Sequence, residues 1–202
     1  MRSRPDPTPG AVTPQPAEVD AEVLSCLRAG DVAALERLFQ VYGKRVFRVC
    51  QGVLGNRADA EDATQEVFLR AFQNAGSFSG TTRFSSWLLS LAVNHSRNLA
   101  KAARRHRQTL SDPDLAAVPG SDSPEHHAVE RERCDTLAGL LMELPLERRQ
   151  ALVLREMEGL SYAEIAEVLQ VPIGTVTSRL IRGREQLRAL MAGRGMNPPE
   201  SG

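Results

Sequence analysis

The sequence predicts an all-α protein of two small helical domains joined by a flexible acidic linker, the second a helix-turn-helix domain. Three observations lead there. Apolar residues recur at helical spacing through residues 21–107 and again through 128–192. The segment between, 108–127, holds three prolines and loses the periodicity. Ser161 to Arg184 reads as two short helices across a tight turn, the second of them basic.

Each element follows in order. Residues 1–20, rich in Pro, Thr and Ala without periodicity, are read as a disordered tail. A first helix is expected from Val19 to Leu27 and a second from Val32 to Leu54. On the second, Leu35, Leu38, Phe39, Tyr42, Val46, Val49, Cys50 and Val53 form an apolar stripe. Gly55-Asn56 stops it. Asp59 is expected to cap a third helix, Ala60 to Phe72, whose early acids complement the helix dipole. Gly76 to Ser86 is a Gly/Ser/Thr loop holding Phe78 and Phe84, and Trp87 opens a fourth helix reaching about Arg105. In the second domain Leu144-Pro145 is a break, with Pro145 in the first helical position of the next helix. Residues 193–202 are read as a second disordered tail.

Within the helical pair, Ser161 and Glu164 have capping-box spacing. Ile165, Ala166 and Leu169 supply one apolar face. Val171-Pro172 ends that helix, because proline disfavours the α region in the residue before it. Pro172 then fits the first turn of the next helix. Val176, Leu180 and Leu187 point that helix inward and leave Thr177, Ser178, Ile181, Arg182 and Arg184 on its other sides. This is the layout of a DNA-binding helix-turn-helix, whose second helix enters the major groove.

Charge adds to the pattern. The net charge is zero, with 25 basic and 25 acidic residues in a chain of 202. Trp87 to Arg107 nevertheless carries Arg97, Lys101, Arg104, Arg105 and Arg107 with no acid, whereas Gln108 to Glu125 carries Asp112, Asp114, Asp122 and Glu125 with no base. Two basic patches across an acidic connector can hold two nucleic-acid contacts apart. The N-terminus lacks the apolar core of a signal peptide and no apolar run is long enough to span a bilayer. A cytoplasmic location without membrane insertion is therefore expected. Cys26, Cys50 and Cys134 form no CxxC pair, and His126-His127 near Cys134 fits no zinc signature, so no metal or disulfide framework is expected. No cluster of His, Cys or carboxylate has catalytic spacing, and there is no Walker-type glycine loop. The expectation is a protein that is not an enzyme and holds no cofactor.

Two stretches resemble the extracytoplasmic-function (ECF) group of sigma-70-type bacterial transcription initiation factors. The first is DAEDATQEVFLRAF followed by FSGTTRFSSWLLSLAVNHSRN, at Asp59 to Phe72 and Phe78 to Asn98. The second is LPLERRQALVLREMEGLSYAEIAEVLQVPIGTVTSRLIRGREQLR, at Leu144 to Arg188. The resemblance implies one domain (21–107) that docks on the polymerase clamp and reads and melts the −10 promoter element, and another (128–192) that reads the −35 element. It implies core RNA polymerase as partner, through the clamp helices of the largest subunit and the flap region. It implies promoter DNA as the second partner, an anti-sigma factor as an inhibitor, and a monomer in the holoenzyme.

By resemblance, Asp62, Gln65, Glu66, Leu69 and Arg70 face the polymerase clamp helices. Acids there would pair with basic groups and steer association. Phe78 and Asn94 line a pocket for a flipped non-template base, with Asn98 close by. Ser79, Thr81 and Thr82 add small polar groups, and Arg97, Lys101 and Arg104 hold phosphates. The chemistry suits melting: a captured base compensates for lost stacking, and an amide both donates and accepts toward a base edge. Asn94 and Asn98, four apart, share a helix face. Trp87, Leu88, Leu91 and Ala92 are read as core. In the last helix Thr177, Ser178, Ile181 and Arg182 fall where −35 bases are read. Thr175, Arg179 and Arg184 fall where phosphates position the helix. Many relatives carry a basic residue where this chain has Thr177, which leaves the −35 sequence open. An autonomous helix-turn-helix regulator is the alternative, and DAEDATQEVF has no use in that scheme.

Overall fold

The computed structural model describes residues 21–109 and 138–196. The expectations for the N-terminal tail, for the linker beyond Thr109, for Cys134 and for the tail after 196 lie outside the described residues. Among the described residues every regular element is helical.

The first set of helices begins with α1 (Ala21–Arg28) and α2 (Val32–Leu54). The Asp31 carboxylate caps α2 by accepting from the Ala33 amide at 2.9 Å. Gly55 ends it in the left-handed region (φ 74°), its amide donating to Gln51 O at 2.7 Å. Leu38, Tyr42, Val46, Val49, Cys50 and Val53 are buried along one side. Phe39 departs from the expected stripe. It is 48 % exposed, and its ring lies beside α3, 4.9 Å from that of Phe68. The stripe of 35, 38, 42, 46, 49 and 53 is complete without it, so Phe39 sits on the border of the apolar face.

α3 (Arg57–Gln73) starts earlier than expected, and its cap is Asn56 rather than Asp59. Asn56 Oδ1 accepts from Ala58 N at 2.8 Å and Asp59 N at 3.4 Å. An amide oxygen caps as well as a carboxylate, and the turn at Gly55 delivers residue 56 in the extended conformation a cap requires. Asp59 keeps a place in the first turn. After a 3₁₀ turn (Ala75–Ser77), α4 runs from Phe84 to Thr109, starting before the expected Trp87. The reason is aromatic packing. The Phe84 ring lies 5.3 Å from Phe78, 5.3 Å from Trp87 and 6.0 Å from Tyr42, which fixes the first turn of α4 on α2. Leu88, Leu89, Ala92 and Val93 continue the buried face, as expected for Leu88 and Ala92.

The second set comprises α5 (described over residues 138–142), α6 (Leu146–Leu152) continuing into a π-helical segment (Val153–Met157), α7 (Tyr162–Leu169) and α8 (Ile173–Gly193). Pro145 and Pro172 occupy the cap positions of α6 and α8, one residue before the first helical turn expected for them. The capping box at Ser161 is present: Ser161 Oγ accepts from Glu164 N at 3.3 Å, and Ser161 N donates to Glu164 Oε2 at 2.8 Å. Gln170, in the left-handed region at φ 53°, turns the chain from α7 toward α8. Val176, Leu180 and Gly183 form the buried face of α8, and Arg148 Nη1 donates to Gln186 Oε1 at 2.7 Å to tie α6 to it.

Nothing in the sequence foretold that the two sets would pack on each other, and they do. α2 meets α6 and the π-helical segment, and α4 meets α7. Buried residues of both sets belong to one continuous apolar cluster.

Candidate nucleic-acid interface

The loop before α4 is built on an aromatic anchor. Phe78 is only 6 % exposed and stacks edge-on against Phe84, with Trp87 5.5 Å away. Its carbonyl accepts from Arg28 Nη2 at 2.7 Å, which ties the loop to α1. The Phe78 ring, expected to line a base pocket, forms the floor of the loop and packs with the core. The residues after it are presented to solvent. Ser79, Thr81 and Thr82 are exposed around Gly80, whose φ of 76° suits glycine. The Ser79 and Thr81 hydroxyls are 2.8 Å apart.

Asn94, Arg97, Asn98, Lys101 and Arg104 fall on successive turns of α4, so the structure brings them into one stripe. Asn94 and Arg97 are half-buried; Asn98, Lys101 and Arg104 are exposed. Arg97 Nε is buried without a protein partner. The loop precedes the start of α4 at Phe84, and the stripe begins at Asn94, well along the same helix.

The α8 surface is separate. Ile181 is 50 % exposed and Arg182 is exposed, while Val176 and Leu180 face inward. Thr177 Oγ1 donates to Ile173 O at 3.1 Å and Ser178 Oγ to Thr175 O at 2.9 Å. Both hydroxyls thus spend their proton on their own helix and face outward as acceptors. Thr175 and Arg179 are half-buried. Arg184, expected at a phosphate, is paired in this structure: Nε and Nη2 donate to Glu156 Oε1 at 2.9 and 2.7 Å. Burial works against its charge, but the Glu156 bond and charge prevail and hold the guanidinium pKa above its ordinary value.

The third surface lies on α3. Asp62, Gln65 and Arg70 are exposed, Glu66 is half-buried and Leu69 is 49 % exposed. Arg70 Nε donates to Glu66 Oε1 at 2.8 Å, which pulls the Glu66 carboxyl below its usual range. Between α2 and α3 a shallow apolar groove is lined by Leu35, Phe39, Gln40, Gln65, Phe68 and Leu69. Sequence reasoning found the α3 wall of this groove and missed the α2 wall, because Phe39 was absorbed into the core stripe. Its available signal was redundancy: an extra aromatic beside a stripe already complete.

Cys50 is fully buried, and burial raises its thiol pKa, so it remains a neutral apolar filler. Among the described residues no group of His, Cys, Asp or Glu is placed to hold a metal ion, and no helix is long and apolar enough to cross a membrane.

An all-helical pair of units, one presenting the outer face of a helix-turn-helix second helix and the other a polar loop leading into a basic helix, defines a DNA-binding protein of the helix-turn-helix class. The comparisons specify it further. The family description Sigma-70 region 2 matches residues 38–106, and Sigma-70, region 4 matches residues 135–187. The ECF RNA polymerase sigma factor SigW of Bacillus subtilis is 33% identical over 172 residues, spanning 80% of this chain and 91% of that protein. The RNA polymerase sigma-H factor of Pseudomonas aeruginosa is 32% identical over 178 residues, spanning 84% of this chain and 92% of that protein. The chain belongs to the ECF group of the sigma-70 family.

Two solved structures share the fold. CnrH, in complex with the cytosolic domain of CnrY, superposes with a TM-score of 0.66 at 21% identity, covering 85% of this chain and 96% of that one. The sigma factor RpoE of Bartonella quintana, in complex with the anti-sigma factor NepR, gives 0.61 at 20% identity, covering 78% and 96%.

Proposed function

We propose that this chain works as a bipartite promoter reader. It is an alternative sigma factor, not an enzyme, and it directs RNA polymerase to promoters. The observation that carries the division of labour is the separation of two DNA-facing surfaces. One is the loop Ser79–Thr82 with the α4 stripe; the other is the outer face of α8.

On the first surface, Asn94 and Asn98 engage bases of the −10 element, and Arg97, Lys101 and Arg104 hold its phosphates. Phosphate contacts position the strand and the amides supply selectivity. Captured bases offset the stacking lost on opening, which is how a factor without fuel assists melting. On the second surface, Thr177, Ser178, Ile181 and Arg182 read the −35 element in the major groove. A bidentate Arg182–guanine contact contributes about 1–3 kcal/mol of discrimination. Thr175 and Arg179 position that helix.

The α3 face of Asp62, Gln65, Glu66, Leu69 and Arg70 takes the clamp helices of the largest polymerase subunit, with the apolar groove continuing that face toward Phe39. The second domain lies at the flap. An anti-sigma factor holds the chain in reserve, a reading supported by the two structural neighbours, whose own complexes contain an inhibitor or a cytosolic partner. The setting is cytoplasmic, and the factor is a monomer in the holoenzyme.

The test is run-off transcription with purified core polymerase on pooled promoter fragments. New start sites that disappear with Asn94→Ala or Arg182→Ala are expected. No added transcripts, together with tight operator binding by the free protein, would move the assignment to an autonomous regulator.

A further inference from the structure

The side chains that tie α8 down carry an inference that rests on reading its outer face as the −35 surface. α8 approaches α6 closely at Gly183, where an added Cβ would lie 3.1 Å from Leu152 Cδ1 and 3.4 Å from Arg148 Cβ. A glycine at a helix contact sets a short distance between the two axes, but it has no side chain to stop α8 from turning about its own axis. Two ties supply that stop. At 3.6 residues per turn, Arg184 lies about 100° round the helix from Gly183, and Gln186 about 60° the other way. Gln186 Oε1 accepts from Arg148 Nη1 of α6 at 2.7 Å. Arg184 Nε and Nη2 both donate to Glu156 Oε1 of the π-helical segment. The close approach at Gly183 is therefore held on both flanks.

The Glu156 tie is reinforced from α7. The Tyr162 hydroxyl also bonds Arg184. The Arg155 guanidinium lies over the Tyr162 ring, 5.3 Å from its centroid, and Arg155 Nη1 donates to Leu160 O at 2.9 Å. Arg155 and Glu156 are neighbours in the π-helical segment. Such segments are rare and are found mostly at functional sites. Through these two residues this one fastens both helices of the helix-turn-helix to a common base.

The position of the tie matters. Arg184 comes two residues after Arg182 and three after Ile181, so it acts directly behind residues that meet bases. A small turn of α8 moves the Arg182 fork out of the plane of the guanine edge it must match. Stability gains little, because Glu156 is exposed and a solvated ion pair contributes little. What the tie fixes is orientation.

We infer that Glu156 is a positioning residue for −35 recognition: it holds Arg184 on the protein, and this tie, opposite Arg148–Gln186, sets the rotation at which α8 presents Ser178, Ile181 and Arg182. Arg184 acts through the fold and not as a phosphate contact. Glu156 shapes the sequence read at −35 without touching DNA.

The test uses the reconstituted holoenzyme. Run-off transcription is read from a promoter mapped with the unaltered factor and then randomised at its −35 element, and promoter binding is followed over a salt series. Glu156→Gln keeps the shape and removes the charge. It should leave the melting midpoint of the factor within about 4 °C. It should relax the preference at the base pair met by Arg182 about fivefold or more, with the slope of log affinity against log salt unchanged. Arg184→Lys keeps a cation but loses the fork, and should do the same. Glu156→Arg combined with Arg184→Glu should restore the preference. A phosphate-binding Arg184 gives the opposite signs: Glu156→Gln frees it and tightens binding, and Arg184→Gln lowers the salt slope by about 0.9. Either result would overturn the positioning role. So would a preference unchanged in Glu156→Gln, or one still relaxed in the charge-swapped pair, in a factor whose preference is lost with Arg182→Ala. Failure of the −35 reading itself shows separately, as a preference that survives Arg182→Ala.

Discussion

The two surfaces proposed to meet DNA differ in their surroundings. The outer face of α8 is presented by a helix whose other side is fully seated: Val176 and Leu180 are buried, and Gly183 lets α8 approach Leu152, which lies 3.1 Å from where a Cβ would sit. The loop before α4 rests on an aromatic floor and faces α7 across a cleft, with Arg83 paired to Glu164. The outer face of α8 is open, whereas the loop, though exposed, shares a cleft with Ser161, Glu164 and Glu167. The difference is one of electrostatic setting, because α7 places two carboxylates opposite the loop.

The comparison can be broken most severely at its base. Leu180→Ala removes a fully buried side chain beneath the α8 face. Such truncations cost about 2–5 kcal/mol. Thermal unfolding should show the second helix set melting first and −35 binding falling with it, while the first set keeps its transition. Next in size is Arg182→Ala, which leaves packing untouched because the residue is exposed. It should cost about 1–3 kcal/mol at one base pair of the −35 element, seen as relaxed selection from randomised duplexes, with −10 preference unaltered. Smaller again is Ser161→Ala. Removing the cap hydroxyl that meets Glu164 should destabilise by about 0.5–2 kcal/mol, and hydrogen exchange should rise first at the amides that open α7.

The smallest effect is in pH. Among the described residues, histidines occur in the first helix set and none in the second. Burial, and then the Arg70 charge, lower the His95 pKa below 6.5, with Glu66 pulling the other way. The folded form therefore prefers the neutral imidazole, and the unfolded chain binds more protons. Stability is full above pH 6.5 and declines as pH falls below it toward the folded pKa. A pH series of melting curves should show this decline in the first set, and His95→Gln should flatten it.

Much of this was legible in sequence because it is local. Val32–Leu54 was bounded correctly because Asp31 and Gly55 punctuate it, and the α7–α8 turn was legible because Ser161, Glu164 and Pro172 do the same. The inward positions Val176 and Leu180 followed from spacing alone. The misses have a common cause, competition between neighbours of similar chemistry. Asn56 and Asp59 both make good caps, and only the geometry of the Gly55 turn selects the first. Phe78 and Phe84 both look like loop aromatics until tertiary contact with Tyr42 and Trp87 turns them inward. Arg184 reads as a phosphate ligand, and its pairing with Glu156 across 28 residues was not legible. The pairing of Glu158 with Arg45 spans 113 residues, and no periodicity reports a contact at that range.

Arg149 has a consequence in time. It tops the end of α2 through Val53 O, yet it lies 96 residues further along the chain. Ribosomes add roughly 5–20 residues per second, and amino-terminal units fold first. For several seconds after Val53 is made, its carbonyl lacks this partner. Each newborn molecule thus begins life with the end of α2 unfinished, and completes it only once the later half has been synthesised.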